Sequence, residues 1–473
     1  MQFNSFIFIL LFLPLSVLGW HHLNRRSNTA AKLWLIVASI VFYIFPFKNL
    51  PFFLAFSIVF NYAASKVIAR DSKCGKIVFT VAIAVNVLSL LFYKYAGFLL
   101  PAADAGDILL PVGISFFTFQ QISYLVMVRK EPEKLAAPMD YLLYVLFFPK
   151  LVMGPVCEPS ELIPQFTVEG GSFSRDNLAS GFKLFSIGLL KKALLADTFA
   201  KASSWVLANY TGVSSLDALI GMLSYTFRIY FDFSGYSDMA IGIALMLNIE
   251  LPMNFDSPYK ALSISDFWKR WHITLTAFLT KYVYIPLGGS RRGAARTYLN
   301  ILLVFLVSGI WHGSGWTFVI WGVVHGLLSI FDRVAEKPME KLPKAFRWLL
   351  TFAAVNFLWL IFASESVQQW ASLVGRMFAF DAPSVSSELS LVFSTAETAV
   401  ISDVLYIFSI RGIDSAVWMA LSLLAAFLIC LIPENAYRNR GKFTPLGAVA
   451  SALAFVWGLI NLSGETVFVY WQF

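Results

Sequence analysis

The chain has 473 residues, 58% of them hydrophobic and only 14% charged, with a mean hydropathy of +0.70. An ordinary soluble domain is about 45–50% apolar and about 25% charged, so the composition excludes that class and specifies an integral membrane protein. The net charge of +8 does not point to nucleic acid, because the basic residues gather in alternate loops as the positive-inside rule requires.

Apolar runs of about 18–22 residues recur along the chain, close to the ~20 needed to cross a bilayer as a helix. Neither strand alternation nor regular turn spacing occurs, which argues against a β-barrel. The expected fold is all-α and polytopic, with roughly eleven transmembrane helices besides re-entrant and interfacial ones. No internal repeat or long linker divides the chain, so residues 1–473 read as one membrane domain. Cys74, Cys157 and Cys430 are too few and too scattered for a disulfide framework or a thiolate metal site. Cys157 follows a Gly-Pro turn and reads either as a reactive thiol or as an inert membrane cysteine.

In chain order, the first span (residues 3–20) has no charge before it and HHLNRR after it. A cleaved signal peptide needs a positive n-region and a small-residue cleavage site, so this reads as a retained helix, N-terminus outside. Lys66, Arg70, Lys73 and Lys76 then mark a cytosolic loop, whereas Lys48 alone marks the turn before it, and the loop holding Asp104 and Asp107 reads as external. Gln120 and Gln121 lie in an apolar helix, where adjacent glutamines bond neighbouring helices or line a pore. Pro149 and the Gly154-Pro155 pair interrupt apolar sequence, the pattern of a re-entrant segment. Lys191 and Lys192 end an apolar helix as snorkelling anchors would. Arg228, Asp232 and Asp238 fall within or beside the next span, where each charge costs about 2.5–3.5 kcal/mol at the bilayer centre. They read as an internal salt bridge locking a helix bent at Gly235, or as substrate ligands.

Residues 265–296 are amphipathic: Asp266, Lys269, Arg270 and Lys281 alternate with Trp268, Trp271, Phe278 and Tyr282. A helix on the cytosolic interface has this pattern. Pro286, Gly288, Gly289, Arg291 and Arg292 follow as a turn rich in free amides and positive charge, suited to phosphate or to anionic lipid headgroups. Three of the five histidines, His272, His312 and His325, lie between residues 265 and 326. His312 sits in SGIWHGSGW, framed by glycines and tryptophans. A histidine in a span either bonds a neighbouring helix or works as a base near neutral pH. Spacings of 40 (312 − 272) and 13 (325 − 312), with no local HxxxH pair, give no metal site. No GxSxG elbow marks a serine nucleophile. A histidine base serving two substrates remains. Further spans follow near 348–362, 416–432 and 447–462, around external loops and short helices at 363–410 and a basic cytosolic loop at 434–442.

The stretches LPVGISFFTFQQISYL, GLLKKALLAD, IYFDFSGYSDMAIG, DFWKRWHITLTAFLTKYVYIPLGG, SGIWHGSGWTFVIWGVVHG, the FPKLVMGP turn and the terminal FVYWQF together resemble the membrane-bound O-acyltransferases. The resemblance is strongest to the bacterial branch that includes the alginate O-acetylation membrane subunit and the D-alanyl transfer protein of teichoic acid. It implies helices around a central funnel or tunnel, with His312 on the family's near-invariant histidine and His272 on its second position. His325, Trp311, Asp238 and Asp232 would support them. Lys269, Arg270, Lys281, Arg291 and Arg292 would hold the donor. The resemblance further implies cytosolic acetyl-CoA as co-substrate without a bound cofactor, in a bacterial inner membrane. The acceptor would be an exported polysaccharide or an extracytoplasmic partner resembling an SGNH hydrolase. His312 would deprotonate the acceptor hydroxyl while His272 orients it or stabilises the oxyanion. The rivals are D-alanyl transfer from a carrier protein and a transporter using Arg228, Asp232 and Asp238 as an ion path.

Overall fold

In a computed structural model of the chain, residues 1–45, 51–99, 110–167, 173–380, 384–407, 413–462 and 468 are described. Every regular element among them is helical. An apolar chain with no water partners for its amides closes them within helices. Among the described residues, five helices are long and apolar enough to cross a membrane: Pro51–Ile68, Lys73–Tyr95, Ala294–His312, Trp316–Val334 and Lys344–Ala363. Four shorter apolar helices, Phe8–Asn24, Asn28–Ile44, Ser415–Leu431 and Pro445–Ile460, accompany them. These nine (five plus four) compare with the roughly eleven expected from hydropathy. Part of the difference is the helix Ile114–Lys130, which buries most of its side chains, Gln120 and Gln121 included. Gln121 accepts a hydrogen bond from Tyr141 on the helix Pro138–Leu146, so this glutamine ties helix to helix. Lys48, Asp104, Asp107 and, Phe468 apart, the terminal FVYWQF lie outside the described residues.

The chain forms two units, each drawn from separate stretches of sequence. Met1–Leu190, Gly235–Asn254 and Ala436–Phe473 form one. There Trp20 Nε1 donates to the Leu247 carbonyl (2.8 Å), and His21 Nε2 lies 2.7 Å from that of Met246. After the helix Pro138–Leu146, a single turn (Phe148–Leu151) and extended backbone carry the expected Pro149 and Gly154-Pro155 break. Lys150 on that turn is fully buried, its amine 4.3 Å over the Tyr144 ring.

Lys191–Ser234 and Phe255–Asn435 form the other unit, and the structure corrects three expectations in it. Lys192 is no snorkelling anchor: its side chain is 2% exposed and its amine sits 2.9 Å from Asp197 and 2.8 Å from Asp232. Asp232 therefore pairs with Lys192 rather than Arg228, whose guanidinium reaches the Ser203 and Ser204 hydroxyls instead. The helix Ser215–Met246 runs unbroken through Gly235. The third correction concerns residues 265–296, which form short pieces, Ile264–Arg270, Ile273–Leu279 and a π-turn Thr280–Tyr284, before the helix beginning at Ala294.

The centre of this unit is a hairpin of Ala294–His312 and Trp316–Val334, joined by Gly313-Ser314-Gly315. A Cβ at Gly309 would lie 2.4 Å from the Phe318 carbonyl oxygen, and one at Gly322 equally close to that of Phe305. Glycine at both positions lets the two backbones touch.

Candidate active site

His272 occupies the break between Ile264–Arg270 and Ile273–Leu279, in a left-handed conformation with φ 44°. A side chain larger than glycine is uncommon there, and backbone strain of this kind concentrates at functional sites. The break turns the imidazole inward: it is 1% exposed and meets the Phe233 ring edge-on at 4.8 Å. Burial pushes its pKa down to about 3, so the ring is neutral at physiological pH.

His312 is the last residue of its helix, followed by the extended Gly313. It is 3% exposed and walled by the rings of Trp311 (4.6 Å), Trp321 (5.1 Å) and Phe362 (5.1 Å). Trp311 also lies 6.5 Å from the His272 ring, so one indole neighbours both histidines. His325 is 1% exposed, one helical turn beyond Trp321 on the same face and 4.8 Å from it. Its Nδ1 accepts a hydrogen bond from Trp268 Nε1 at 3.2 Å. The three histidines thus belong to one buried aromatic cluster.

A cavity of about 640 Å³ leads toward this cluster. Trp268, Phe305, Ser308 and Ser329 line it on the histidine side. Toward the end of the hairpin where Ala294 begins and Val334 finishes, it is lined by Lys269, Arg333, Arg347 and the carboxylates of Asp332, Glu336 and Glu340. Asp332 is engaged, accepting from the Ser265 amide at 2.7 Å. Ser308 is one helical turn, about 6 Å of rise, before His312.

Of the five cations expected to hold the donor, Lys269 lines this cavity. Arg270 pairs instead with Asp266 (2.8 Å), Lys281 lies 5.4 Å over the Tyr282 ring, and Arg291 and Arg292 are exposed on the turn beyond. Asp232, which pairs with Lys192, immediately precedes Phe233, the ring against His272. Asp238, buried, belongs to the first unit. Sequence reading missed the cavity's Arg333 and Arg347 and the indoles of Trp321 and Trp359. For Trp321 a signal existed, since Trp and His four apart on a helix share a face.

The sequence model of the membrane-bound O-acyltransferase family (MBOAT) matches residues 62–367, which include all three histidines and the cavity. The chain belongs to this family. It is an acyltransferase. Among relatives, a peptidoglycan O-acetyltransferase of Helicobacter pylori is 40% identical, over 81% of this chain and 81% of its own. A Pseudomonas aeruginosa protein named "probable alginate O-acetylase AlgI" is 36% identical, over 80% and 75% respectively. A teichoic acid D-alanyltransferase of Bacillus subtilis is 26% identical, over 63% and 80%. The matched segment thus contains the buried histidines and the cavity beside them.

Proposed function

We propose that the protein moves an acetyl group from cytosolic acetyl-CoA across the bacterial inner membrane to an extracytoplasmic hydroxyl, for O-acetylation of a cell-envelope polysaccharide. The single observation that carries this reading is the placement of His312 on the hairpin. The hairpin end bearing Arg291, Arg292 and Arg296 also bears Arg333, Lys337, Lys341 and Lys344, and by the positive-inside rule that end is cytosolic. The same rule puts the N-terminus outside. His312 is at the opposite end, and the cavity extends from the basic end to within one turn of it. Donor and acceptor would approach from opposite faces.

Lys269, Arg333 and Arg347 would take the phosphates of CoA, and the slot between Trp268 and Ser308 its thioester arm. His312 accepts the acceptor's proton as the hydroxyl oxygen attacks the thioester carbonyl, and returns it to the departing thiolate. Neutral His272, beside Trp311, orients the acceptor. The final acceptor would be reached directly or through an SGNH-hydrolase-like partner. Peptidoglycan is the polymer to test first, given the name of the 40% identical relative.

The test is purified protein in lipid with labelled acetyl-CoA and soluble peptidoglycan fragments. The expected result is CoA release coupled to ester-linked acetate, abolished by His312→Ala in a protein that remains folded and inserted. Activity near the parental level in that variant ends the assignment of His312. Turnover only with an aminoacyl carrier protein would transfer the reading to D-alanylation.

A further inference from the structure

Several buried N–H groups of the aromatic cluster have no hydrogen-bond acceptor among the described residues. They are His325 Nε2, Trp321 Nε1 and Trp359 Nε1, on side chains that are 1%, 0% and 1% exposed. Leaving a buried donor unmade is costly, and such groups persist where a ligand completes them. Trp321 contacts His325, His312 and Trp359, so the three donors share one cluster with the base.

His325 is the best defined of them. An indole nitrogen only donates, so the 3.2 Å bond from Trp268 requires an unprotonated Nδ1 on His325. The ring is therefore neutral with its hydrogen on Nε2, and cannot serve as a base through Nδ1 while that bond stands. Trp268 and Phe305 line the inner end of the cavity, and both contact the His325 ring (5.0 and 6.0 Å). The Ser329 hydroxyl, one turn further along the helix, also lines the cavity and has no partner. His325 thus packs against two of the side chains that the end of a donor arm would meet.

We propose that His325 Nε2–H is the hydrogen-bond donor to the thioester carbonyl oxygen of the acyl donor, held in that tautomer by Trp268. The proposal rests on the acyl-CoA reading above. In the reaction the acceptor oxygen bonds to the carbonyl carbon as its proton passes to His312. The C=O π pair moves onto the oxygen, which accepts from His325. Collapse restores C=O and breaks C–S, and the thiolate takes the proton back from His312. His325 is then a catalytic residue that exchanges no proton, and Trp268 is its positioning residue.

The experiment uses the full-length protein in lipid with two probes: the methyl ketone isostere of acetyl-CoA, with sulfur replaced by methylene, and S-ethyl-CoA, which lacks the carbonyl. The wild-type protein should prefer the ketone and lower its carbonyl stretching frequency. His325→Leu should abolish both effects, leave S-ethyl-CoA affinity unchanged and lower kcat/KM by about 10²–10³-fold, as for loss of an oxyanion-hole donor. His325→Gln, which keeps an N–H, should restore part of the frequency shift. Trp268→Phe, which keeps the ring but frees Nδ1, should reduce kcat with KM little changed. Equal weakening of both probes in His325→Leu, with the frequency shift retained, overturns the proposal and leaves His325 a packing residue. Should His325→Leu not fold, an unaltered carbonyl frequency in His325→Gln and Trp268→Phe together with unchanged kcat overturns it equally. Failure of the wild-type protein to bind either probe defeats the acyl-CoA reading itself, and the proposal with it.

Discussion

Lys192 is held by two carboxylates inside an apolar unit, and its partner Asp232 is as deeply buried as the lysine. Removing one member of a buried pair strands the other's charge, at a cost of about 3–5 kcal/mol. Asp232→Asn leaves Lys192 with Asp197 alone and should lower the thermal unfolding midpoint in detergent, by less than full stranding would. Lys192→Met combined with Asp232→Leu, which strands no lysine, should be milder. At His272 the relevant variable is pH. Its pKa in the folded protein, about 3, is below the usual 6.5. The unfolded chain therefore binds a proton between those values that the folded one does not. Stability from the buried neutral ring is complete above about pH 6.5 and is lost as the pH falls below it. Unfolding midpoints measured from pH 7.5 to 5 should decline, and His272→Asn should flatten that slope.

At the scale of elements, the hairpin depends on glycine where backbones touch. Gly309→Ala would push a methyl to 2.4 Å from the Phe318 carbonyl oxygen, three residues before His312. A misfit of this kind costs about 1–3 kcal/mol, and here it also displaces His312, the proposed base. Acyl transfer should fall more than stability does, measured as kcat against unfolding midpoint. Gly375, in the helix Val367–Met377 with nothing within 4 Å of its Cβ position, is the contrast. Gly375→Ala should raise stability by up to about 1 kcal/mol through helix propensity alone, with activity unchanged. The hairpin was not assigned from sequence, although its apolar runs and its Gly-Ser-Gly turn are local signals. The histidines stood out because imidazoles are rare in apolar surroundings. The partners were not legible: the Trp268–His325 bond joins residues 57 apart and Lys192–Asp232 joins residues 40 apart. Neither separation leaves a periodic trace. The break at His272 also escaped, because the FWKRWH stretch has the composition of a continuous amphipathic helix while its left-handed turn depends on tertiary contacts.

Across the molecule, large apolar side chains stand exposed on most outer helices, among them Leu18 (68%), Phe52 (79%), Val59 (69%) and Leu446 (79%). This is the inverse of a soluble surface and the expected lipid-facing coat. Val81, 51% exposed on the span Lys73–Tyr95, belongs to it. Val81→Lys should lower the membrane-integrated fraction in a translocation assay, since a lysine near mid-span costs about 2.5–3.5 kcal/mol.

The aromatic rings packed around His312 have an electrical consequence as well. A bacterial inner membrane stores energy as a voltage, worth about 2.3 kcal/mol per elementary charge per 100 mV. A wet passage from one face to the other would discharge it through proton hopping. Trp268, Phe305, Trp321, His325 and His312 pack against one another as a continuous aromatic cluster. Under the proposed transfer the acyl group would pass as an uncharged carbonyl, and the membrane would stay an insulator while it did so.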